Sequence, residues 1–171
     1  MKKLISLFIY TLSFIQINAQ EIEWVSFEEA IALNKENPKN ILIDVYTDWC
    51  GYCKKMDKNT YENKVIITLI NEKFYAVKLN AEQKETFTYK GESYKFIDQG
   101  RRGYNELAAK LLQGKMSYPS TVFMDKDENI IDKVPGYLTP DIMEPILVFL
   151  GDKKYIEQPW EDFQKEFKSK L

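Results

Sequence analysis

The sequence contains no histidine and only two cysteines, Cys50 and Cys53, among its 171 residues. Zinc and iron–sulfur centres are held by about four ligands, mostly cysteine or histidine, so one chain of this composition cannot complete such a centre. A covalent haem needs histidine directly after the second cysteine, where this chain has Lys54. We therefore expect no metal and no cofactor, with a metal shared between two chains as the alternative.

Blocks of basic residues are also missing. The chain has 24 lysines and arginines against 26 aspartates and glutamates, and its net charge is −2. Without Lys2 and Lys3 the balance becomes 22 against 26, a net charge of −4. Proteins that bind nucleic acid concentrate positive charge in patches. Nucleic acid is therefore not an expected partner.

The N-terminal segment has no apolar run long enough to cross a membrane. Lys2 and Lys3 precede the apolar residues 4–17, and Ala19 follows shortly afterwards, which is the order of a secretory signal peptide. A bilayer core requires about 20 apolar residues. We predict a signal peptide over residues 1–19, one domain over residues 20–171, and a periplasmic or secreted protein without stable membrane insertion. A retained membrane anchor is the alternative.

An exported domain of this size often carries several disulfides, but here the two cysteines lie only three positions apart. In the chain-entropy picture a disulfide stabilises a fold by restricting the unfolded chain, and this effect is small for a short loop. Redox chemistry explains such a pair better than structural stabilisation.

Hydrophobic spacing, caps and turn residues predict the secondary structure. Ser26 and Glu29 form a capping box that begins a helix, and the nearly continuous apolar run at 41–46 indicates a buried strand. The predicted helices are 26–36, 54–59, 65–70, 104–113, one from Thr139-Pro140 that Pro145 should kink or restart, and a C-terminal helix with Trp160, Phe163 and Phe167. The predicted strands are 41–46, 74–79, a hairpin of 87–89 and 94–96, 121–124 and 130–134.

The C-terminal helix is expected to pack on the core; binding to a partner is the alternative. More informative is the position of the cysteines, because Cys50 directly follows a buried strand and precedes a helix. Free amides and the helix dipole stabilise a thiolate there by about 0.3 to 2 kcal/mol. Cys50 is thus the predicted attacking thiol and Cys53, one turn further on, the resolving thiol.

Residues 41–56, which include Trp49-Cys50-Gly51-Tyr52-Cys53, resemble the active-site strand and helix of the thioredoxin superfamily. The order continues at 77–80, 118–123 and 135–137, and the chain looks closest to the soluble C-terminal domain of the bacterial transmembrane thiol–disulfide interchange protein. This resemblance implies an α/β thioredoxin fold with a central mixed β-sheet flanked by helices. A β-hairpin inserted before a cis-proline and an extra C-terminal helix would be additions to it.

The resemblance also implies roles for individual residues. Pro119 would be the cis-proline that faces the cysteines, and Tyr118 would offer its backbone to a substrate; a trans proline is the alternative. Asp44 would be the buried acid that accepts the proton of Cys53, with Lys78 as its charged neighbour. A purely structural, hydrogen-bonded acid is the alternative for Asp44.

Four further positions are expected to contact substrate. Trp49 would cover the site, Gly136 would let the backbone approach the substrate, and Gly51 and Tyr52 separate the cysteines. A core aromatic and a turn glycine are the alternatives for Trp49 and Gly136. Tyr52 stands where thioredoxins usually have proline, which leaves the redox potential open. The long stretch between Asn80 and Pro119 suggests a substrate rim formed by the predicted hairpin.

We therefore expect a monomeric thiol–disulfide oxidoreductase acting on disulfide-containing proteins, with a membrane thiol transporter as electron donor. A histidine between the cysteines would favour an oxidant, and its absence here favours a reductant. A disulfide oxidase or isomerase is the first alternative, although no segment for dimerisation is recognisable. The second is a non-catalytic binding module on the same scaffold.

Overall fold

The structure is a computed structural model, and it describes residues 21–100 and 102–171. The predicted signal peptide, residues 1–19, lies outside the described residues. In the described ranges no helix is both long enough and apolar enough to cross a bilayer.

The described residues form strands and helices in an α/β order. The strands are β1 (Trp24–Val25), β2 (Asn40–Tyr46), β3 (Phe74–Asn80), β4 (Phe87–Tyr89), β5 (Glu92–Tyr94), β6 (Phe96–Ile97), β7 (Tyr104–Asn105), β8 (Ser120–Met124) and β9 (Ile130–Pro135). The helices are α1 (Phe27–Glu36), α2 (Gly51–Asn59), α3 (Lys64–Lys73), α4 (Glu106–Leu111), α5 (Pro140–Gly151) and α6 (Trp160–Glu166), with a short 3-10 turn at Lys154–Ile156.

A mixed five-stranded sheet forms the centre, in the order β1-β3-β2-β8-β9. β1 and β2 run parallel to β3, whereas β8 is antiparallel to β2 and β9. Because side chains alternate along a strand, Ile41 and Ile43 of β2 join the core under α1 and α4. Leu42 faces the other way, into the core under α2, α3, α5 and α6. This confirms the thioredoxin fold with helices on both sides of a mixed sheet.

Several boundaries differ from the predicted ones. The predicted helix 104–113 begins only at Glu106, because Tyr104 and Asn105 pair with β6 and Asn105 then caps the helix through a bond from the Leu107 amide. The predicted hairpin is present, but its second strand is β5 and its turn is Lys90-Gly91. Both turn residues have positive φ, as a two-residue hairpin turn requires.

Helix α5 continues through Pro145 and is not restarted there. A proline inside a helix removes one backbone donor, but Met143, Leu147 and Leu150 are buried on the inner face and hold the helix to the core. Helix α6 packs on α5 through Phe163, whose ring lies 5.1 Å from that of Phe149. The predicted packing of the C-terminal helix on the core is therefore confirmed.

Candidate active site

The two cysteines lie where β2 leads into α2. After β2 ends, the Cys50 amide donates a hydrogen bond to the Thr47 carbonyl at 3.1 Å, and α2 begins at the next residue. Cys50 is the N-cap of α2, and its Sγ accepts a hydrogen bond from the Cys53 amide at 3.1 Å. A disulfide joins Cys50 to Cys53. The predicted position of Cys50 at a helix N-terminus is confirmed, and the predicted helical residues 54–59 are the later part of α2.

Both cysteines are buried, and they differ in their position on α2. Cys50 is 5% exposed, and Cys53, inside the first turn of α2, is 1% exposed. A thiolate at position 50 would meet the free amides of the helix N-terminus, which favour negative charge. This geometry suits Cys50 for attack and Cys53 for the second, internal step.

Two other loops converge on this helix start. The Tyr118–Pro119 peptide bond is cis, as the sequence resemblance implied. The Pro119 carbonyl accepts a hydrogen bond from the Gly136 amide at 2.8 Å, so these two predicted positions are neighbours. Gly136 has φ +97, in the region that favours glycine. A Cβ there would meet no atom within 4 Å, so conformation rather than crowding requires the glycine.

Exposed aromatic side chains flank the cysteines on both sides. The Trp49 side chain is half exposed, and its ring packs edge-on against Tyr118 with 5.9 Å between centroids. On the other side Tyr52, which is 64% exposed, lies 6.2 Å from Tyr137. Gly51 leaves open space between them. These residues form an open, aromatic surface around the disulfide.

Asp44 lies on the inner side of the site. It shares the face of β2 that points towards α2, and it is 1% exposed. Lys78 of the neighbouring strand donates a hydrogen bond to Asp44 Oδ2 at 2.7 Å and also contacts Asp57 of α2. The rings of Trp24, Tyr46 and Tyr61 surround the ammonium group at 5.0 to 5.2 Å. The predicted pairing of Asp44 with Lys78 is present.

Burial sets the protonation of this inner cluster. Desolvation raises the pKa of Asp44, and the charge of Lys78 offsets part of that rise. For Lys78, burial acts to lower the pKa, but the two carboxylates outweigh it and the pKa is raised. Asp44 is therefore a carboxyl group that takes up a proton more readily than usual, beside a lysine that stays charged.

Sequence reasoning missed three residues of the site. Asp57 follows Cys53 by four positions, so its place on the same face of α2 could have been read from helical spacing. Glu82 accepts a hydrogen bond from Trp49 Nε1 at 2.9 Å, and the Arg102 guanidinium lies 4.1 Å from the Trp49 ring centroid. No sequence signal pointed to either contact.

The hairpin β4–β5 does not form the predicted rim of the site. Its residues Phe87 and Tyr89 pack edge-on against Phe27 of α1, at 6.2 and 5.1 Å between ring centroids. These aromatic side chains are buried because the hairpin closes the core beneath α1. Two other residues of the stretch between Asn80 and Pro119, here called the insertion, reach Trp49 instead: Glu82 and Arg102.

No group of three or more histidine, cysteine, aspartate or glutamate side chains in the described ranges is arranged to hold a metal ion. The described site contains a disulfide, a buried acid–lysine pair and an exposed aromatic surface.

Comparisons with known proteins agree with this geometry. The family profile of the thioredoxin-like domain matches residues 27–151. A protein disulfide-isomerase of Schizosaccharomyces pombe is 27% identical over 136 residues, which are 80% of this chain but only 30% of that protein. A Haemophilus influenzae protein is 28% identical over 150 residues, covering 81% of this chain and 93% of that protein.

Among solved structures, a thioredoxin-fold protein from Helicobacter pylori superposes with a TM-score of 0.57 at 25% identity, over 76% of this chain and 80% of that one. The residues that the family profile matches include both cysteines, the cis-proline and Gly136. The chain belongs to the thioredoxin-like domain family, and the matched residues include the Cys50–Cys53 disulfide.

Proposed function

We propose that this protein is an exported reductant of protein disulfides, which takes electrons from a membrane thiol transporter. The observation that carries the proposal is the Cys50–Cys53 disulfide at the start of α2, with Cys50 Sγ accepting the Cys53 amide hydrogen bond. The helix start stabilises a thiolate at Cys50 by about 0.3 to 2 kcal/mol. Gly51 and Tyr52 add no positive charge between the cysteines.

The reaction begins with the reduced protein. The Cys50 thiolate attacks one sulfur of a substrate disulfide, forms a mixed disulfide and releases the other substrate sulfur as a thiolate, which takes a proton. Cys53 then loses its proton and attacks Cys50 Sγ. The second substrate sulfur leaves as a thiol, and the Cys50–Cys53 disulfide forms. Two electrons have passed from the protein to the substrate.

Asp44 supports the second step as the acceptor of the Cys53 proton. Its raised pKa makes it a better base than an ordinary carboxylate. Lys78 orients Asp44 Oδ2, while Oδ1 has no hydrogen-bond partner among the described residues. A pocket of about 560 Å³ lined by Asp57, Tyr61 and Lys78 provides an exit for the proton towards solvent.

The substrate segment would lie across Trp49, Tyr52, Tyr118 and Gly136. Tyr118 contacts Trp49 at this surface, and an extended strand could add to its backbone. Export rests on the charge and hydropathy pattern of residues 1–19, and the proposed location is the periplasm or the extracellular space. Both cysteines belong to one chain, so a monomer suffices for the cycle.

The test is the redox midpoint of Cys50–Cys53, measured by equilibrating residues 20–171 in thiol–disulfide buffers of graded potential. We expect a midpoint of about −270 mV, as for thioredoxin. A midpoint of about −120 mV would identify an oxidant instead. A pair that does not cycle reversibly would leave only the binding-module alternative.

Single cysteine variants test the assigned order of attack. With Cys53→Ser the reduced protein should accumulate a mixed disulfide with a protein substrate, because the resolving thiol is missing. Cys50→Ser is the matched control and should trap far less substrate, since Cys53 lies inside the first turn of α2 rather than at the helix start. Equal trapping by the two variants would contradict the proposed roles.

A further inference from the structure

A second pocket lies beside the reactive disulfide, on the side of Trp49. It has a volume of about 380 Å³ and is lined by Trp49 together with residues of the insertion, among them Phe96 and Gly103. Four charged side chains also line it: Glu82, Lys84, Asp98 and Arg102. The proposed redox mechanism uses none of these four groups.

The two acids of this pocket already have hydrogen-bond donors. Glu82 Oε1 accepts from Trp49 Nε1 at 2.9 Å, and Asp98 Oδ1 accepts from the Gly100 amide at 2.8 Å. These bonds hold the two carboxylates in the wall of the pocket and stabilise part of their negative charge without a cationic partner. The acids therefore serve to shape the wall.

The two cations lie over aromatic rings and form no ion pair with a carboxylate of the described residues. Arg102 lies 4.1 Å from the Trp49 ring centroid, and Lys84 Nζ lies 5.8 Å from that of Phe96. A guanidinium group that contacts a ring through its face keeps its N–H donors, which lie in its plane, available for a ligand. Such a preoriented fork suits a carboxylate.

The pocket is connected to the place where the substrate is expected to lie. Arg102 stacks on Trp49, and Trp49 packs against Tyr118 at 5.9 Å between ring centroids. Tyr118 precedes the cis-proline, and Trp49 precedes Cys50. About three residues of extended chain span roughly 10 Å. This length is comparable to the distance from Arg102 across the Trp49 ring to Tyr118. A side chain a few residues from the attacked cysteine could therefore reach Arg102.

We propose that this pocket is an anion-accepting subsite, which selects protein disulfides with a glutamate or aspartate about three residues from the cysteine attacked by Cys50. The inference rests on the proposed redox function and adds a substrate class to it. Arg102 binds the carboxylate and Lys84 adds positive charge, while Glu82 holds the Trp49 ring and Trp49 contacts Arg102.

The test compares two disulfide-linked peptides of identical sequence, except that one has glutamate and the other glutamine three residues from the cysteine. Reduced protein is mixed with an excess of each peptide, and the second-order rate constant for formation of its Cys50–Cys53 disulfide is measured. We expect the wild type to prefer the glutamate peptide by about fivefold at low salt, with a smaller preference at high salt. The Arg102→Gln variant should lose this preference.

Lys90→Gln is the matched control, because Lys90 also lies over an aromatic ring of the insertion, 5.3 Å from the centroid of Tyr89, but does not line the pocket. It should keep the preference of the wild type. Equal rates for both peptides, or an equal loss in the control, would overturn the subsite and leave the redox function standing. Failure to react with either peptide would overturn both proposals.

Discussion

Asp44 is a single buried carboxyl group whose protonation should be visible in the stability of the whole protein. Burial raises its pKa, and Lys78 offsets only part of the effect. A carboxyl pKa raised by folding means that the folded state binds the proton more tightly, so the free energy of unfolding falls as pH rises through the folded-state pKa. We expect Asp44→Asn to remove this loss and to be the more stable protein at alkaline pH.

Urea unfolding of the oxidised proteins, from mildly acidic to alkaline buffers, measures this effect. The gain of Asp44→Asn over wild type should grow with pH. The control is Asp57→Asn, which removes the other carboxylate on Lys78 from a side chain that is 45% exposed, so its effect should be small. A difference between wild type and Asp44→Asn that does not change with pH would contradict the buried-acid interpretation.

Individual residues of the site were predictable from the sequence to different degrees. Asp44 interrupts an apolar strand, and this conflict with the pattern around it indicates a buried acid from the sequence alone. Arg102 and Glu82 have no such signal, since their contact with Trp49 depends on the path of a whole insertion. Local patterns identify residues that conflict with their own element, but not partners that a distant loop brings in.

At the scale of elements, the short ladder β6–β7 depends on Gly103. A Cβ at this position would lie 2.1 Å from Phe96 Cζ and 2.5 Å from the Ile97 carbonyl oxygen. The second atom is backbone and cannot rotate away, so Gly103→Ala must move the strands apart. We expect a loss of about 1–3 kcal/mol in the free energy of unfolding, together with loss of the preference for the glutamate peptide.

Denaturant unfolding and the peptide comparison are the two measurements for this variant. Gly51→Ala is the stability control, because a Cβ there meets no atom within 4 Å and the residue lies in α2. It should be neutral or slightly stabilising. If Gly103→Ala were as stable as Gly51→Ala, the close packing of Phe96 on Gly103 would not exist in solution.

Elements with their own caps were the most predictable. The Ser26 side chain accepts the Glu29 amide at 3.1 Å at the start of α1, as its capping box predicts. By contrast, β1 and β7 have two residues each and exist only because another strand pairs with them. A two-residue segment has no periodicity to read, so these strands could not be found from sequence alone.

For the whole molecule, the resemblance of residues 41–56, 77–80, 118–123 and 135–137 to the thioredoxin superfamily implied the fold, because these segments follow each other in the order of that family. The site was predictable for the same reason: Cys50, Pro119 and Gly136 are far apart in sequence but meet at one edge of the sheet. The path of the insertion was not, since its buried aromatics could have packed on either side of the sheet.

The direction of electron flow is also a property of the whole molecule, because it links the disulfide to the stability of the fold. If the folded state favours the disulfide, as expected of a reductant, the oxidised protein must unfold less readily than the reduced one. Closing a four-residue loop restricts the unfolded chain by about 2 kcal/mol in the chain-entropy picture. If the folded state accommodates the disulfide and the dithiol equally well, the free energies of unfolding of the oxidised and reduced proteins should differ by this amount.

We therefore expect the free energy of unfolding of the oxidised protein to exceed that of the reduced protein by at least about 2 kcal/mol. Urea unfolding with and without a strong reductant measures the difference. The Cys50→Ser/Cys53→Ser double variant is the control, and reductant should not change its stability. A more stable reduced form would mean that folding favours the dithiol, as in strong oxidants. About 30 mV corresponds to about 1.4 kcal/mol. A more stable reduced form would therefore imply a less negative midpoint for the pair, and it would reverse the proposed direction independently of the buffer titration.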